Sequence, residues 1–202
     1  MPTVRFASCV LEGRVVRLEP LTEAHWSGVL AIGLEPAIWR WTIDNVSSEA
    51  DLRGWFDAAL EAQSTGAAVV FATVDRATGR VAGSTRFGNL DEQNRRAEIG
   101  WTWLGVPWQR TATNTEAKYL MLCHAFEQWG LVRVELKTDA LNEASRRAIR
   151  RIGAREEGIF RRYQVSQGGR MRDTAWYAVT NLDWPEVRLH LKDLLNRSAV
   201  SR

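Results

Sequence analysis

The chain has 202 residues, 45% of them hydrophobic and 25% charged, with a formal net charge of +3. That length suits one well-buried core and is short for two, and the composition is that of a soluble globular protein. The longest apolar run, GAAVVFATV at 66–74, is strand-sized and far below the ~20 residues of a membrane-spanning helix.

The first residues, MPTVRFASCVLEGR, hold neither a sustained apolar segment nor a small-residue cleavage site, so no secretion signal is expected. Cys9 and Cys123 match no metal spacing and are expected as reduced thiols in a cytoplasmic protein; no metal is expected. RVVRL at 14–18 reads as a short strand ending at Pro20. In LTEAHWSGVLAIG, Thr22 suits an N-cap and Gly33 a stop, and Trp26, Val29, Leu30 and Ile32 have the spacing of a helix packed on one face. EPAIWRWTIDN is irregular, with Pro36 restricting its start. SSEADLRGWFDAALEAQSTG is a second helix, capped by Ser47 or Ser48, ending near Gly66, with a stripe of Leu52, Trp55, Phe56, Ala59 and Leu60.

The period then changes. Residues 67–75, 80–90 and 95–105 are three β-rich runs separated by turn chemistry, the pattern of an antiparallel meander. WQRTATNTEAKYLML leads into a helix of about four turns ending at Trp129 and Gly130. LVRVELKTD is a strand, and NEASRRAIRRIG a helix with Asn142 as cap and Gly153 as stop. AREEGIFRRYQV and MRDTAWYAVT are strands joined through Gly168 and Gly169. In DWPEVRLHLKDLLNR, Asp183 caps a closing helix, Glu186 completes a capping box and Pro185 sits in the first turn. With no repeat and no linker, one α+β domain over 1–202 is expected, its core at about 12–182 and its C-terminal helix at 183–196.

Three stretches carry chemistry. WQRTATNTEAKYLML resembles a phosphate-gripping turn yet holds no glycine. The first turn of any helix leaves about four amides unpaired at the positive end of its dipole, so an anion can bind there without one. Thr111, Thr113, Thr115 and the Asn114 amide can add hydrogen bonds. Thr113 and Glu116 also form a capping box, which by itself explains the stretch as a well-capped helix. Asn142 and Ser145 open the later helix and can cap it, bind a ligand, or both. Glu98, in AEIGW, is either a surface glutamate or a base. An alkylammonium near pKa 10 is almost wholly protonated at pH 7, so amine chemistry needs a carboxylate to remove its proton. Asp91 and Glu92 are lesser candidates. His25 and His124 read as helix residues, with His124 packed or capping beside Phe126.

The order of elements, together with AEIGWTWLGVPWQRTATNTEAKYLML, VELKTDALNEASRRAIRRIGAREEG and GSTRFGNLDEQNRRAEIG, resembles the GCN5-related N-acetyltransferase (GNAT) family, in its RimJ/RimL-like branch of ribosomal-protein acetyltransferases. The resemblance spans roughly residues 12–182. It implies a central mixed, mostly antiparallel sheet of about seven strands with helices on both faces, and acetyl-CoA as acyl donor. The family's Gln/Arg-x-x-Gly-x-Gly/Ala loop falls on Gln109, Arg110, Thr111, Ala112, Thr113 and Asn114, with alanine and asparagine in the glycine positions. Carried over, the resemblance has the CoA held by Trp103, Leu104, Val106, residues 109–115, Asn142, Ser145 and one of Arg146 and Arg147, of which Arg147 is carried forward. Glu98 would act as base, and Ser145 would stand near the thioester sulfur. Many members have a tyrosine acid seven residues after the asparagine; here Ile149 stands there, which moves that role to Ser145 or a water it holds.

The acceptor, a primary amine such as a protein N-terminus or a small amine, is expected against Trp39, Trp41 and Asp44. A non-catalytic acyl-CoA-binding module is the alternative. The seven arginines between residues 145 and 163 raise nucleic acid as a further partner, given the least weight. Val187, Leu191, Leu194 and Leu195 offer either a homodimer surface or intramolecular packing.

Overall fold

The computed structural model describes residues 4–200. Its eight strands form one sheet in the order β1-β2-β3-β4-β5-β6-β8-β7. They are β1 (Leu11–Glu12), β2 (Val16–Pro20), β3 (Val69–Asp75), β4 (Val81–Asp91), β5 (Arg96–Leu104), β6 (Arg133–Asp139), β7 (Arg155–Val165) and β8 (Met171–Thr180). The helices are α1 (Trp26–Gly33), α2 (Pro36–Trp39), α3 (Glu49–Ser64), α4 (Ala112–Cys123), α5 (Glu143–Arg151) and α6 (Trp184–Val200). β3, β4 and β5 form the expected antiparallel meander, and only β5 with β6 pairs in parallel. The eighth strand is β1, two residues at the edge, too short to leave a periodic signal.

Each face of the sheet has its own core. Phe71, Phe87, Ile99, Val134, Leu136, Ala175, Tyr177 and Val179 pack with Met121 of α4, Ile149 of α5 and Leu191 of α6. Val70, Ala72, Val74 and Trp103 face the other way, onto Val29 of α1 and Leu52, Trp55, Phe56 and Ala59 of α3. β3 is buried on both faces because helices cover both. Strand alternation in β6 is different: Val134 and Leu136 enter the first core, while Arg133, Glu135, Lys137 and Asp139 share the opposite face.

Several caps follow expectation. Ser48 Oγ accepts the Asp51 amide at 3.2 Å and Asn142 Oδ1 the Ser145 amide at 3.0 Å. After α4 the chain continues through a π-helical turn, His124–Gln128, and turns at Gly130 with φ +61°. Gly168 and Gly169, both at positive φ, make the β7–β8 turn.

Other expectations are corrected. Thr111, not Thr113, caps α4, accepting the Thr113 amide at 3.2 Å. Glu116 is no part of a capping box: its carboxylate accepts the amides of Arg14, Val15 and Val16 at 2.9, 2.5 and 2.8 Å. Asp183 does stand at the N-cap position of α6, its carbonyl accepting the Val187 amide at 3.1 Å, while its carboxylate accepts from Thr180 and pairs with Arg155. His124 packs on Trp129, with ring centroids 4.6 Å apart, while Phe126 stacks on Trp184. Of the two readings of the α6 stripe, the side chains serve intramolecular packing: Val187, Leu191 and Leu195 are 5%, 0% and 7% exposed and Leu194 is partly buried against the same core.

Candidate active site

The parallel pairing of β5 and β6 is short. It joins Arg96 to Arg133, Ala97 to Val134 and Glu98 to Glu135, and no residue pair follows. β5 continues to Leu104, still paired with β4, and β6 continues to Asp139, still paired with β8. The sheet therefore splits, leaving one backbone edge of each strand without a ladder partner. Trp101 marks the bend: its φ is +49°, and the β4–β5 register shifts between Ser84 and Arg86.

Parallel strands send their following helices off at the same end, so the N-termini of α4 and α5 both stand at the open end of the split. In open sheets this is where ligands bind, outside the carboxyl ends of the strands at a change of direction. Arg151 of α5 ties the two helices by donating to Thr115 Oγ1 of α4.

The α4 end is built without glycine at a cost in backbone strain. Arg110 takes the left-handed conformation, φ +58°, and its side chain is exposed. The loop's hydroxyls are turned inward, against the expected hydroxyl-lined cradle. Thr111 Oγ1 donates to the Trp108 carbonyl at 2.8 Å, and Thr113 and Thr115 are 1% and 2% exposed. What remains for an anion is backbone: the first-turn amides, the dipole end and the exposed guanidinium of Arg110. The first-turn amides and Arg110 fit a pyrophosphate; Asn114 Oδ1, buried with no hydrogen-bond partner, is an acceptor and adds nothing for an anion, so any bond from Asn114 would come from its Nδ2. Gln109 is occupied, donating to the Leu104 carbonyl at 2.8 Å; Val106 is exposed.

At the α5 end, the Asn142 oxygen caps the helix, while Ser145 is half-buried. Arg146 is fully engaged by Tyr177, the Ala140 carbonyl, Glu143 and Glu156, whereas Arg147 is exposed. Of the two candidates, Arg147 is the one presented to solvent. Ile149 is a core residue at 8% exposure. Arg150 faces Glu143 and Glu156, and Arg155 pairs with Asp183, so much of the arginine run is neutralised within the chain.

Glu98, 6% exposed, lies beside the split on the face of β5 and β6 that α4, α5 and α6 leave uncovered, opposite Ala97 and Ile99. Its Oε2 accepts from Asn89 Nδ2 and pairs with Lys137 Nζ, both at 2.6 Å. Lys137 Nζ stands 4.3 Å from the Trp176 ring centroid and 5.8 Å from that of Tyr163. Nearby, Arg86 crosses the Trp101 ring at 4.9 Å. Burial pulls the Arg86 guanidinium down to about 10 against the opposing pull of Asp44, and burial likewise raises the Asp44 carboxyl, with Arg86 holding it back.

Of the expected acceptor wall, Trp39 is core: it is 2% exposed, donates Nε1 to the Gly33 carbonyl at 2.6 Å, and meets Trp55 edge-on and Trp103 at a tilt, with ring centroids 5.7 and 5.5 Å away. Trp103 likewise belongs to that trio, so only its backbone faces the split. Trp41 is half-buried beneath Arg40, and Asp44 does reach the site beside Arg86. Gln167, from the β7–β8 turn, donates to the carbonyls of Trp39 and Asp44 and closes this segment over the sheet. Arg86, Trp101, Lys137 and Trp176 escaped sequence reasoning. The alternation Arg133, Glu135, Lys137, Asp139 was the available signal: one face of a strand placed mid-sheet is charged throughout.

The GNAT acetyltransferase domain model matches residues 16–155. The chain belongs to the GNAT acetyltransferase family. A GCN5-related N-acetyltransferase from Brucella melitensis is 33% identical, with a TM-score of 0.87 over 96% of this chain and 89% of that one. A putative acetyltransferase from T. thermophilus is 34% identical, with a TM-score of 0.83 over 95% and 98%. Among curated proteins, the putative ribosomal N-acetyltransferase YdaF of Bacillus subtilis is 33% identical over 52% of this chain and 57% of its own length. YoaA of the same organism, an uncharacterised N-acetyltransferase, is 32% identical over 52% and 58%. The chain thus spans little over half the length of these two curated relatives. Ribosomal-protein acetyltransferases from Vibrio share the fold at 18% and 15% identity. Among the described residues, no helix is long and apolar enough to cross a membrane.

Proposed function

We propose that this chain transfers the acetyl group of acetyl-CoA to a primary amine, by direct attack within a ternary complex in the cytoplasm. The observation that carries this is the split of β5 from β6, with a buried carboxylate on its uncovered face and two helix N-termini at its end. The pyrophosphate lies on the backbone amides of residues 110–114, with Arg110 and Arg147 supplying charge. The pantetheine follows the β5 edge at Trp103, Leu104 and Val106, where amides also polarise the thioester carbonyl, and Asn142 offers its Nδ2. Glu98, exchanging Lys137 for the incoming ammonium or acting through a water, removes the amine's proton. The nitrogen then attacks the carbonyl carbon, the carbon–sulfur bond breaks, and Ser145 or a water it holds returns a proton to the thiolate. Asp44 and Trp41 line the acceptor's approach.

Purified protein offered acetyl-CoA with ribosomal-protein N-terminal peptides and with small amines tests this. Glu98→Gln is expected to lower kcat about a hundredfold while acetyl-CoA affinity by calorimetry holds. The loop without glycine and Ile149 in the tyrosine position favour a second reading, a non-catalytic acyl-CoA-binding module. Bound acetyl-CoA with no amine acetylated, in wild type and variant alike, would establish that one instead.

A further inference from the structure

Of the 27 basic side chains, 24 are arginine and only three are lysine: Lys118, Lys137 and Lys192. Arginine is this chain's default cation, and it is also the better partner for a carboxylate, through its planar fork. At Lys137 the chain departs from that default, beside a buried carboxylate on the uncovered face.

The Lys137 ammonium is 2.6 Å from Glu98 Oε2. Its side chain is 12% exposed, with Trp176 on one side and Tyr163 on another. Phe160 completes the aromatic group, 4.9 Å from Trp176 and 5.9 Å from Tyr163. A buried carboxylate with aromatic faces is a receptor for an alkylammonium, and here the chain's own lysine fills it. The position is also the right one. The parallel register pairs Glu98 with Glu135, and continued by two residues it sets Lys137 opposite Gly100, across the gap where the ladder has stopped. Gly100 puts no side chain into that gap, and a Cβ there would stand 3.0 Å from Glu98 Oε1. The other lysines differ: Lys118 is buried against threonine hydroxyls without a carboxylate, and Lys192 is exposed on α6.

We infer that Lys137 is a self-acetylation site: without an acceptor the enzyme transfers the acetyl group from acetyl-CoA to its own Lys137 Nζ. The inference rests on the proposed acetyltransferase function. Glu98 takes a proton from the ammonium, the neutral Nζ forms a bond to the thioester carbonyl carbon, and the carbon–sulfur bond breaks. Ammonium and acetyl-CoA become the amide, CoA thiol and one released proton. An arginine at this position would form the ion pair but could not lose its proton and react in this way. The product amide carries no charge, so Glu98 is left without its ammonium partner.

The test is incubation of the whole protein with acetyl-CoA and no acceptor, followed by peptide mass spectrometry at all three lysines. Lys192 reports uncatalysed acetylation. Lys137 is expected to be acetylated at least about tenfold faster than Lys192, with the excess lost in Glu98→Gln. Because that variant could disturb the site, n-butylamine gives an independent arm: it should suppress modification of Lys137 by occupying the same position and leave Lys192 unchanged. Lys137 acetylated no faster than Lys192, or an excess unaffected by both Glu98→Gln and butylamine, overturns the inference. Amines acetylated when they are supplied, with Lys137 untouched even when none is, would sink this inference alone. Acetyl-CoA bound with neither amines nor Lys137 acetylated would sink the acetyltransferase reading as well.

Discussion

Lys118 carries an ammonium from α4 into the packing beneath the sheet, 4% exposed. Its Nζ donates to Thr102 Oγ1 at 2.6 Å and Thr85 Oγ1 at 3.0 Å, and no carboxylate answers it. Burial alone draws the amine from its ordinary 10.5 down to about 7. Between those values the unfolded chain binds the proton that the folded chain has released, so stability rises with pH across that window; below about 7 the cost of the buried charge is fully present. Lys118→Met removes the charge, and the two threonine hydroxyls still bond each other at 2.8 Å. The variant is expected to be more stable by about 1–3 kcal/mol at pH 6, with the gain fading toward pH 9. Urea unfolding at several pH values checks this; parallel stability curves would show that the lysine is not the source.

Among the elements, α4 does two jobs at once. In the proposed function its first turn offers amides to the pyrophosphate, and one turn later Glu116 holds the backbone amides of Arg14, Val15 and Val16. That contact turns the only acidic side chain of the first two turns away from the helix N-terminus, as electrostatics would require beside the proposed pyrophosphate. Glu116→Ala would strand three N–H groups at a carboxylate that is 3% exposed, an expected loss of about 2–4 kcal/mol by denaturant unfolding. Gly13→Ala is expected to destabilise for the converse reason, since its Cβ would meet the Glu116 carboxylate. At the binding end, Asn114→Asp adds a negative charge beside the proposed pyrophosphate. Acetyl-CoA affinity should fall about tenfold by calorimetry, a modest charge effect near the surface; unchanged affinity would mean the loop faces something else.

Across the whole molecule, the proposed acceptor side joins parts of the chain that are far apart in sequence. Gln167 Nε2 reaches the Trp39 carbonyl at 2.7 Å over 128 residues, so the β7–β8 turn holds residues 39–44 against the uncovered face. Gln167→Ala should loosen that closure, raising KM for the acceptor several-fold while KM for acetyl-CoA stays the same, because the proposed cofactor end is built on α4 and α5. Equal effects on both would place Gln167 in general stability instead. The buried face of α6 belongs at this scale too. Leu191 is fully enclosed between α4 and the sheet, and Leu191→Ala is expected to cost about 2–5 kcal/mol.

Most elements were legible because their signals are local. Period-2 runs separated by turn residues made the meander, Ser48 and Asn142 announced their helices, and Gly168 and Gly169 their turn, each within a few residues of chain. Glu98, Asn142 and the α4 loop could be singled out through their place in that order. Partnership could not be read, because it is set by strand register and helix docking across tens of residues. Thr113 and Glu116 have the spacing of a capping box, yet a turn 100 residues away needed the carboxylate more. Trp39 has the composition of a binding wall, and a trio of rings drew it into the core. Local pattern was enough to set the strands, the helices and the charges they carry. That β5 and β6 part after Glu98, and that Lys137 stands in the opening, came from the packing of distant segments.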